Sequence, residues 1–154
     1  MSPNPRDILV RPARQEDVSL MARWAEAMAL ETEDKPLDPA TVARGIRRAF
    51  EDAAKGRYFI AEIDGQPAGT LMLTWEWSDW RDGWWWWIQS VYVAPESRGK
   101  GAFKLLHGRI VEEARIAGVV GIRLYVFEPN ARAREVYRRL GMRDAGYRVL
   151  EQML

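Results

Sequence analysis

An α/β fold, with a mixed, mostly antiparallel twisted sheet flanked by helices on both faces, is what this chain of 154 residues predicts. Three observations carry the prediction. Apolar residues recur at helical spacing in the first third, switch to a period of two from Arg57 to Ala94, then return to helical spacing around one further strand. Asp64-Gly65 and Asp82-Gly83 stand between the period-two runs, and aspartate-glycine pairs favour tight hairpin turns. From Gly83 onward a strand, a helix and another strand succeed one another, the order of a crossover connection. The length fits one domain, residues 1–154, large enough to bury a core without disulfide or metal staples.

Taken in order, Ile8 to Arg11 is a short apolar strand ending before Pro12. Gln15 to Leu30 places Val18, Met21, Ala22, Ala25, Met28 and Ala29 near helical spacing. Glu31 to Asp38 is acidic and holds Pro36, which predicts a loop, and Pro39 to Ala54 is a second helix with Val42, Ile46, Ala49 and Phe50 inward. YFIAEID, GQPAGTLMLTWEW and GWWWWIQSVYVA form a three-stranded meander. Gly101 to Ala117 is helical, with Phe103, Leu106, Ile110, Ala114 and Ala117 on one stripe and Gly118 closing it. Val119 to Phe127 is the next strand, Ala131 to Leu140 a helix stopped by Gly141, and Tyr147 to Gln152 a last strand.

With 23 Lys plus Arg against 22 Asp plus Glu the formal charge is +1, so no global field holds nucleic acid or an anionic membrane, and any anion site is local. The absence of cysteine excludes disulfides, thiolate nucleophiles and cysteine-bound metal. MSPNPRDILVRPA lacks the apolar stretch of a signal peptide and no run approaches a bilayer span, so the expected compartment is cytoplasmic.

The stretch SVYVAPESRGKGAFKLL, residues 90–106, runs from a strand through a basic, glycine-punctuated turn into an apolar helix. A helix start offers up to four unpartnered N–H groups and about half a positive charge. Gly99 and Gly101 bare the backbone where a diphosphate would approach those amides, and Arg98 and Lys100 add charge beside them. The plain alternative is a soluble corner of the fold. Neither the dinucleotide fingerprint nor the P-loop is present. In NARAREVYRRLG, Asn130 can cap a helix that presents Ala133 and, four residues on, the phenol of Tyr137. Taken alone, that tyrosine reads as an amphipathic core residue.

The two stretches together resemble the GNAT superfamily of acyl-CoA-dependent N-acetyltransferases, over essentially the whole chain. Its phosphate-loop pattern Gln/Arg-x-x-Gly-x-Gly/Ala is matched by Arg98 and Gly101 but not at the last position, Phe103, whose ring is expected to pack inward. Its pattern Asn-x-x-Ala-x-x-x-Tyr is matched by Asn130, Ala133 and Tyr137. The resemblance implies a GNAT-like sheet in which the strand through Ser90 to Val93 splays from Leu124 to Phe127, the pantetheine arm adding backbone hydrogen bonds in the gap. It implies cofactor contacts at Val91, Tyr92, Val93, Arg98, Gly99, Lys100, Gly101, Ala102, Phe103, Asn130, Ala133 and Tyr137. It further implies acetyl-CoA as co-substrate, no metal, and direct transfer to a primary amine in a ternary complex.

In that chemistry the acceptor must lose a proton, and the departing thiolate must gain one, for which Tyr137 is the natural donor with a reference pKa near ~10. Glu76, among tryptophans that would desolvate it, is the first choice of base, against the reading of an exposed hairpin residue. Asp79 and Asp82 read as turn formers, and Glu31, Glu33 and Asp34 as a solvated loop or an acidic rim. Trp84 to Trp87 suit a strand covered on both faces, while Trp75, Trp77 and Trp80 could wall an acceptor pocket. The single histidine, His107, reads as structural or exposed. The acceptor is a small-molecule or peptide amine, nucleic acid and membrane are not expected as partners, and a homodimer is left open. The rival of another class is a non-catalytic acyl-CoA-binding sensor or regulatory module.

Overall fold

The computed structural model describes residues 7–154; residues 1–6, on which the reading of the N-terminus partly rests, lie outside them. Five strands form one sheet in chain order: β1 (Ile8–Pro12), β2 (Arg57–Ile63), β3 (Gln66–Ser78), β4 (Gly83–Val93) and β5 (Gly121–Leu124). The first four pair antiparallel, with Val10 opposite Ala61 and Phe59 opposite Leu71, whereas β5 runs parallel to β4. Both expected hairpins form. Asp64 (φ 51°) and Gly65 (φ 76°) are each left-handed, as a two-residue turn matching the sheet twist requires.

Helices α1 (Val18–Glu33) and α2 (Pro39–Glu51) cover one face, and α3 (Ala102–Ala117) the other. Strand alternation makes this division: Ile60 points into the cluster with Val18, Met21, Trp24 and Ile46, while Phe59 and Ala61 point into that with Leu106 and Ile110. Asp38 caps α2 by accepting from the Thr41 amide at 2.9 Å, and Pro39 occupies the first turn where no N–H is missed. Helix α4 (Ala131–Arg139) buries none of its residues fully. At the start of the chain Arg11 forks onto Asp17 at 2.8 Å and Glu62 at 2.7 Å, joining β1 to the entry of α1 and to β2.

Three expectations need correction. The acidic loop is shorter, since Glu31 to Glu33 extend α1 and the chain turns at Asp34 in a left-handed conformation (φ 51°). The strand expected over Val119 to Phe127 contracts to Gly121–Leu124, because only this stretch meets β4 in register. The expected strand from Tyr147 to Gln152 does not form: no regular element follows α4, and Leu150 is 93 % exposed. Period-two patterning shows that a segment suits a pleated surface, but a strand exists only by ladder bonds to a neighbour. Among the described residues no helix is long and apolar enough to cross a membrane.

Candidate active site

Strand β4 carries the site because its two edges end differently. Toward β5 the pairing begins at Trp85–Gly121 and stops at Ile88–Leu124, leaving Gln89 to Val93 without a partner on that side. Toward β3 the ladder continues to Gly69–Val93 through a bulge, in which Ser90 and Val91 oppose the single residue Leu71. Ser90 takes φ 51° there, and a bulge of this kind bends its strand, here where the two edges part. The Ala94 amide donates to Ala68 on the β3 side at 2.9 Å, so by alternation the amides of Val93 and Val91 face the open edge. The splay expected between Ser90–Val93 and the chain after Leu124 is present as this unpaired edge.

The turn after β4 brings a second set of free amides beside that edge. Pro95 to Ser97 form one 3-10 turn, Gly99 is left-handed at φ 74°, and Gly101 at φ 92° caps α3 without any side-chain hydrogen bond. The first helical bond runs from Leu105 to the Gly101 carbonyl at 3.2 Å, which leaves the amides of Ala102, Phe103 and Lys104 without intrahelical partners. A Cβ at Gly99 would meet no atom within 4 Å, and one at Gly101 only Ile8 Cδ1 at 3.8 Å. The turn is therefore open to a ligand, and glycine is required by the positive φ angles rather than by crowding.

Arg98, expected to add charge beside the turn, is held in a network of its own. Its Nη2 pairs with Glu31 Oε2 at 2.7 Å, its Nε donates to the Val93 carbonyl at 3.0 Å, and its guanidinium lies 5.5 Å from the Tyr92 ring centre. Tyr92 in turn donates its hydroxyl to Glu31 Oε1 at 3.1 Å. The side chain thus ties the turn to the end of α1, and Lys100 is the exposed cation left on the turn. Glu31 in this role was not legible in sequence, because nothing in its spacing singles it out among three neighbouring acids.

Tyr137 reaches the same neighbourhood from α4. Asn130 accepts from the Ala133 amide at 3.1 Å, capping the helix as its position promised. The Tyr137 ring meets Phe103 edge-on at 5.7 Å, and Phe103 also faces His107 at 6.2 Å. Phe103, the residue departing from the loop pattern, is half-buried against these two rings and belongs to neither core cluster. Burial raises the Tyr137 phenol above its ordinary value, and its hydroxyl makes no hydrogen bond among the described residues. His107 is buried on α3, and desolvation pushes its imidazole down, which keeps it neutral and fits the structural reading.

Glu76 is placed elsewhere. It sits opposite Trp85 in the ladder, at the closed end of the β4–β5 pair, about 16 Å along the strand from Ser90 at the usual rise. Its carboxylate pairs with Arg123 at 3.3 Å and its side chain is 47 % exposed, so the tryptophans do not desolvate it as expected. Arg123 stacks over Trp85 at 3.8 Å and Arg81 lies 5.5 Å from the same ring, which is not one of the three tryptophans anticipated as an acceptor wall. Trp77 and Trp84 meet edge-on at 5.1 Å, and Trp80 projects into solvent. Among the described residues no group of three or more His, Asp or Glu is placed to hold a metal ion.

A cavity that sequence reasoning missed lies on the other face, between α1, α2 and the sheet, and it reaches Ser90 and Tyr92. Its only sequence signal was Gly45, a glycine inside an otherwise regular helix.

An open sheet with one unpaired inner edge, a glycine turn offering helix-start amides and a tyrosine from a following helix define a class of acyl-transferring fold. Residues 21–142 match the Acetyltransferase (GNAT) family, and the chain belongs to it. Its activity class is acetyl transfer. A possible acetyltransferase from Clostridium difficile 630 is 36 % identical and superimposes with a TM-score of 0.88, over 96 % of this chain and 97 % of that one. A thialysine N-epsilon-acetyltransferase from Bos taurus is 26 % identical over 147 residues, 89 % of this chain and 85 % of that protein. A predicted acetyltransferase from Clostridium acetobutylicum, solved with acetyl-CoA, shares the fold at 21 % identity and a TM-score of 0.78, covering 95 % and 96 % of the two chains.

Proposed function

We propose that the chain moves an acetyl group from acetyl-CoA directly to a primary amine within a ternary complex. The observation that supports this most is the unpaired edge of β4 after Ile88, running straight into the glycine turn. The free amides of Val91 and Val93 suit the amide groups of a pantetheine arm, and those of Ala102, Phe103 and Lys104 suit its diphosphate. Lys100 adds charge at the turn, while Arg98 holds the turn's shape through the Val93 carbonyl and Glu31. The solved relative with acetyl-CoA, and relatives acting on thialysine, agree with a CoA thioester donor and an amine acceptor.

In the transfer the acceptor nitrogen forms a bond to the acyl carbon as the carbon–sulfur bond breaks. The nitrogen loses its proton to water, which reaches the exposed Ser90. Tyr137 supplies a proton to the leaving sulfur. Burial raises this phenol, so Tyr137 is protonated at neutral pH and able to donate, and the tyrosinate left behind regains its proton from water. Glu76 takes no part in this scheme, being at the closed end of the strand pair.

Release of CoA thiol from acetyl-CoA, measured with a panel of primary amines including thialysine, tests the proposal. Amine-dependent thiol release supports it; acetyl-CoA binding with no release for any amine would favour a non-catalytic binding module instead.

A further inference from the structure

The cavity between α1, α2 and the sheet measures about 270 Å³, and none of the residues lining it is charged. Met21, Met28, Leu37 and Val42 provide its helical and loop walls, and Tyr58 part of its floor. Two of its hydroxyls are already engaged: Thr70 donates to the Phe59 carbonyl at 2.8 Å, and Tyr92 to Glu31 at 3.1 Å. Ser90 makes no hydrogen bond among the described residues, and it belongs both to the cavity and to the unpaired edge of β4. The cavity is therefore lined mainly by apolar groups, with two uncommitted hydroxyls, Tyr58 and Ser90, of which Ser90 stands on the edge assigned to the thioester.

Gly45 supplies a separate observation. It lines the cavity from the middle of α2, yet its φ is not left-handed, and a Cβ added to it would meet no atom within 4 Å. Neither backbone conformation nor packing calls for glycine there, and glycine is among the least favourable residues inside a helix. Gly45 is exposed, so it stands at the mouth of the cavity, where a longer side chain would lie across the opening.

We propose that this cavity receives the acceptor's side chain, and that the acceptor is a primary amine on an uncharged apolar group, aromatic or branched, of roughly phenylethyl size. The inference rests on the acetyl-transfer reading above. An apolar cavity of roughly 150 Å³ takes up benzene, so this one accommodates a ring and a short arm. A carboxylate or a second ammonium inside it would lose its water without gaining a counter-ion, which disfavours amino acids and polyamines. The reacting nitrogen lies at the Ser90 end.

The test compares kcat/KM for 2-phenylethylamine, isoamylamine, spermidine and lysine at saturating acetyl-CoA, with acetyl-CoA affinity measured separately by calorimetry. The apolar amines are expected to lead by about tenfold or more, the scale on which apolar pockets discriminate. Equal or better use of spermidine or lysine, or no turnover of either apolar amine although acetyl-CoA binds, overturns the assignment while leaving the donor site standing. Failure of acetyl-CoA to bind overturns the acetyl-transfer reading itself, and this assignment with it. A variant, Gly45→Leu, places a larger side chain and a better helix former at the mouth of the cavity. It should bind acetyl-CoA as before, melt no lower, and lose about tenfold in kcat/KM for 2-phenylethylamine but less than about twofold for ethylamine; an unchanged value for 2-phenylethylamine refutes the assignment.

Discussion

Replacing Tyr137 by phenylalanine removes one oxygen from a ring whose packing against Phe103, edge-on at 5.7 Å, is left intact. Because the hydroxyl has no hydrogen-bond partner among the described residues, no buried group is orphaned by its loss. Stability should then change by less than about 0.5 kcal/mol, the range of substitutions that disturb neither packing nor a network. Catalysis should respond on another scale. Proton donation of this kind is worth about 10² to 10⁴ in rate, equivalent to about 2.7 to 5.5 kcal/mol of barrier. The proposed acetyl-CoA site rests on backbone amides that the substitution does not touch, so the Kd for acetyl-CoA should stay within about twofold. The assay is a thiol-release measurement of kcat beside calorimetric binding and a thermal melt of the same preparation. The pH dependence adds a sign: burial raises the phenol, so its donor form persists through neutral pH and any loss of activity it causes lies above about pH 10. An unchanged kcat in Tyr137→Phe with donor binding intact would refute the assignment.

Arg98→Ala removes the tether between the turn and α1, and acetyl-CoA should bind about tenfold more weakly, whereas Glu31→Gln, which keeps a hydrogen-bonding side chain, should stay within about twofold by calorimetry. Glu76→Gln should leave the pH profile of kcat/KM superimposable on the parent's; loss of its acidic limb would restore Glu76 as the base. Arg11→Ala strands the carboxylates of Asp17 and Glu62 and should cost about 3 kcal/mol near pH 7 in denaturant melts. Arg11 holds Asp17 below its usual value, so this contribution is present above the unfolded carboxyl pKa near ~4 and fades as pH falls through the lower folded value. The difference between parent and variant should shrink on acidification.

Local chemistry announced much of the fold. The hairpins at Asp64-Gly65 and Asp82-Gly83, the Asn130 cap and the stripe of α3 follow from rules acting within a few residues, and each was readable. The glycine turn was readable for the same reason. The tail beyond Gly141 was not, since Tyr147, Val149 and Glu151 alternate correctly but strand formation depends on an edge elsewhere in the chain. The pairing of Arg98 with Glu31 was not readable, because the two stand 67 positions apart and only the packed sheet and α1 bring them together. Glu76 shows the converse: its tryptophan neighbours suggested burial, yet its side chain stays 47 % exposed and pairs with Arg123, with Trp77 beside it also exposed. The apolar cavity arises from three elements joined by tertiary packing, and a single helical glycine was its only trace in the chain.

Amide hydrogen exchange with and without acetyl-CoA measures the central claim residue by residue. Saturating donor should slow exchange at Val91 and Val93 on the open edge and at Ala102 to Lys104 at the start of α3, with little change at Trp85 to Ile88, whose ladder is already closed. Donor binding that leaves those five amides exchanging as fast as in the free protein would place the thioester somewhere else and contradict the account.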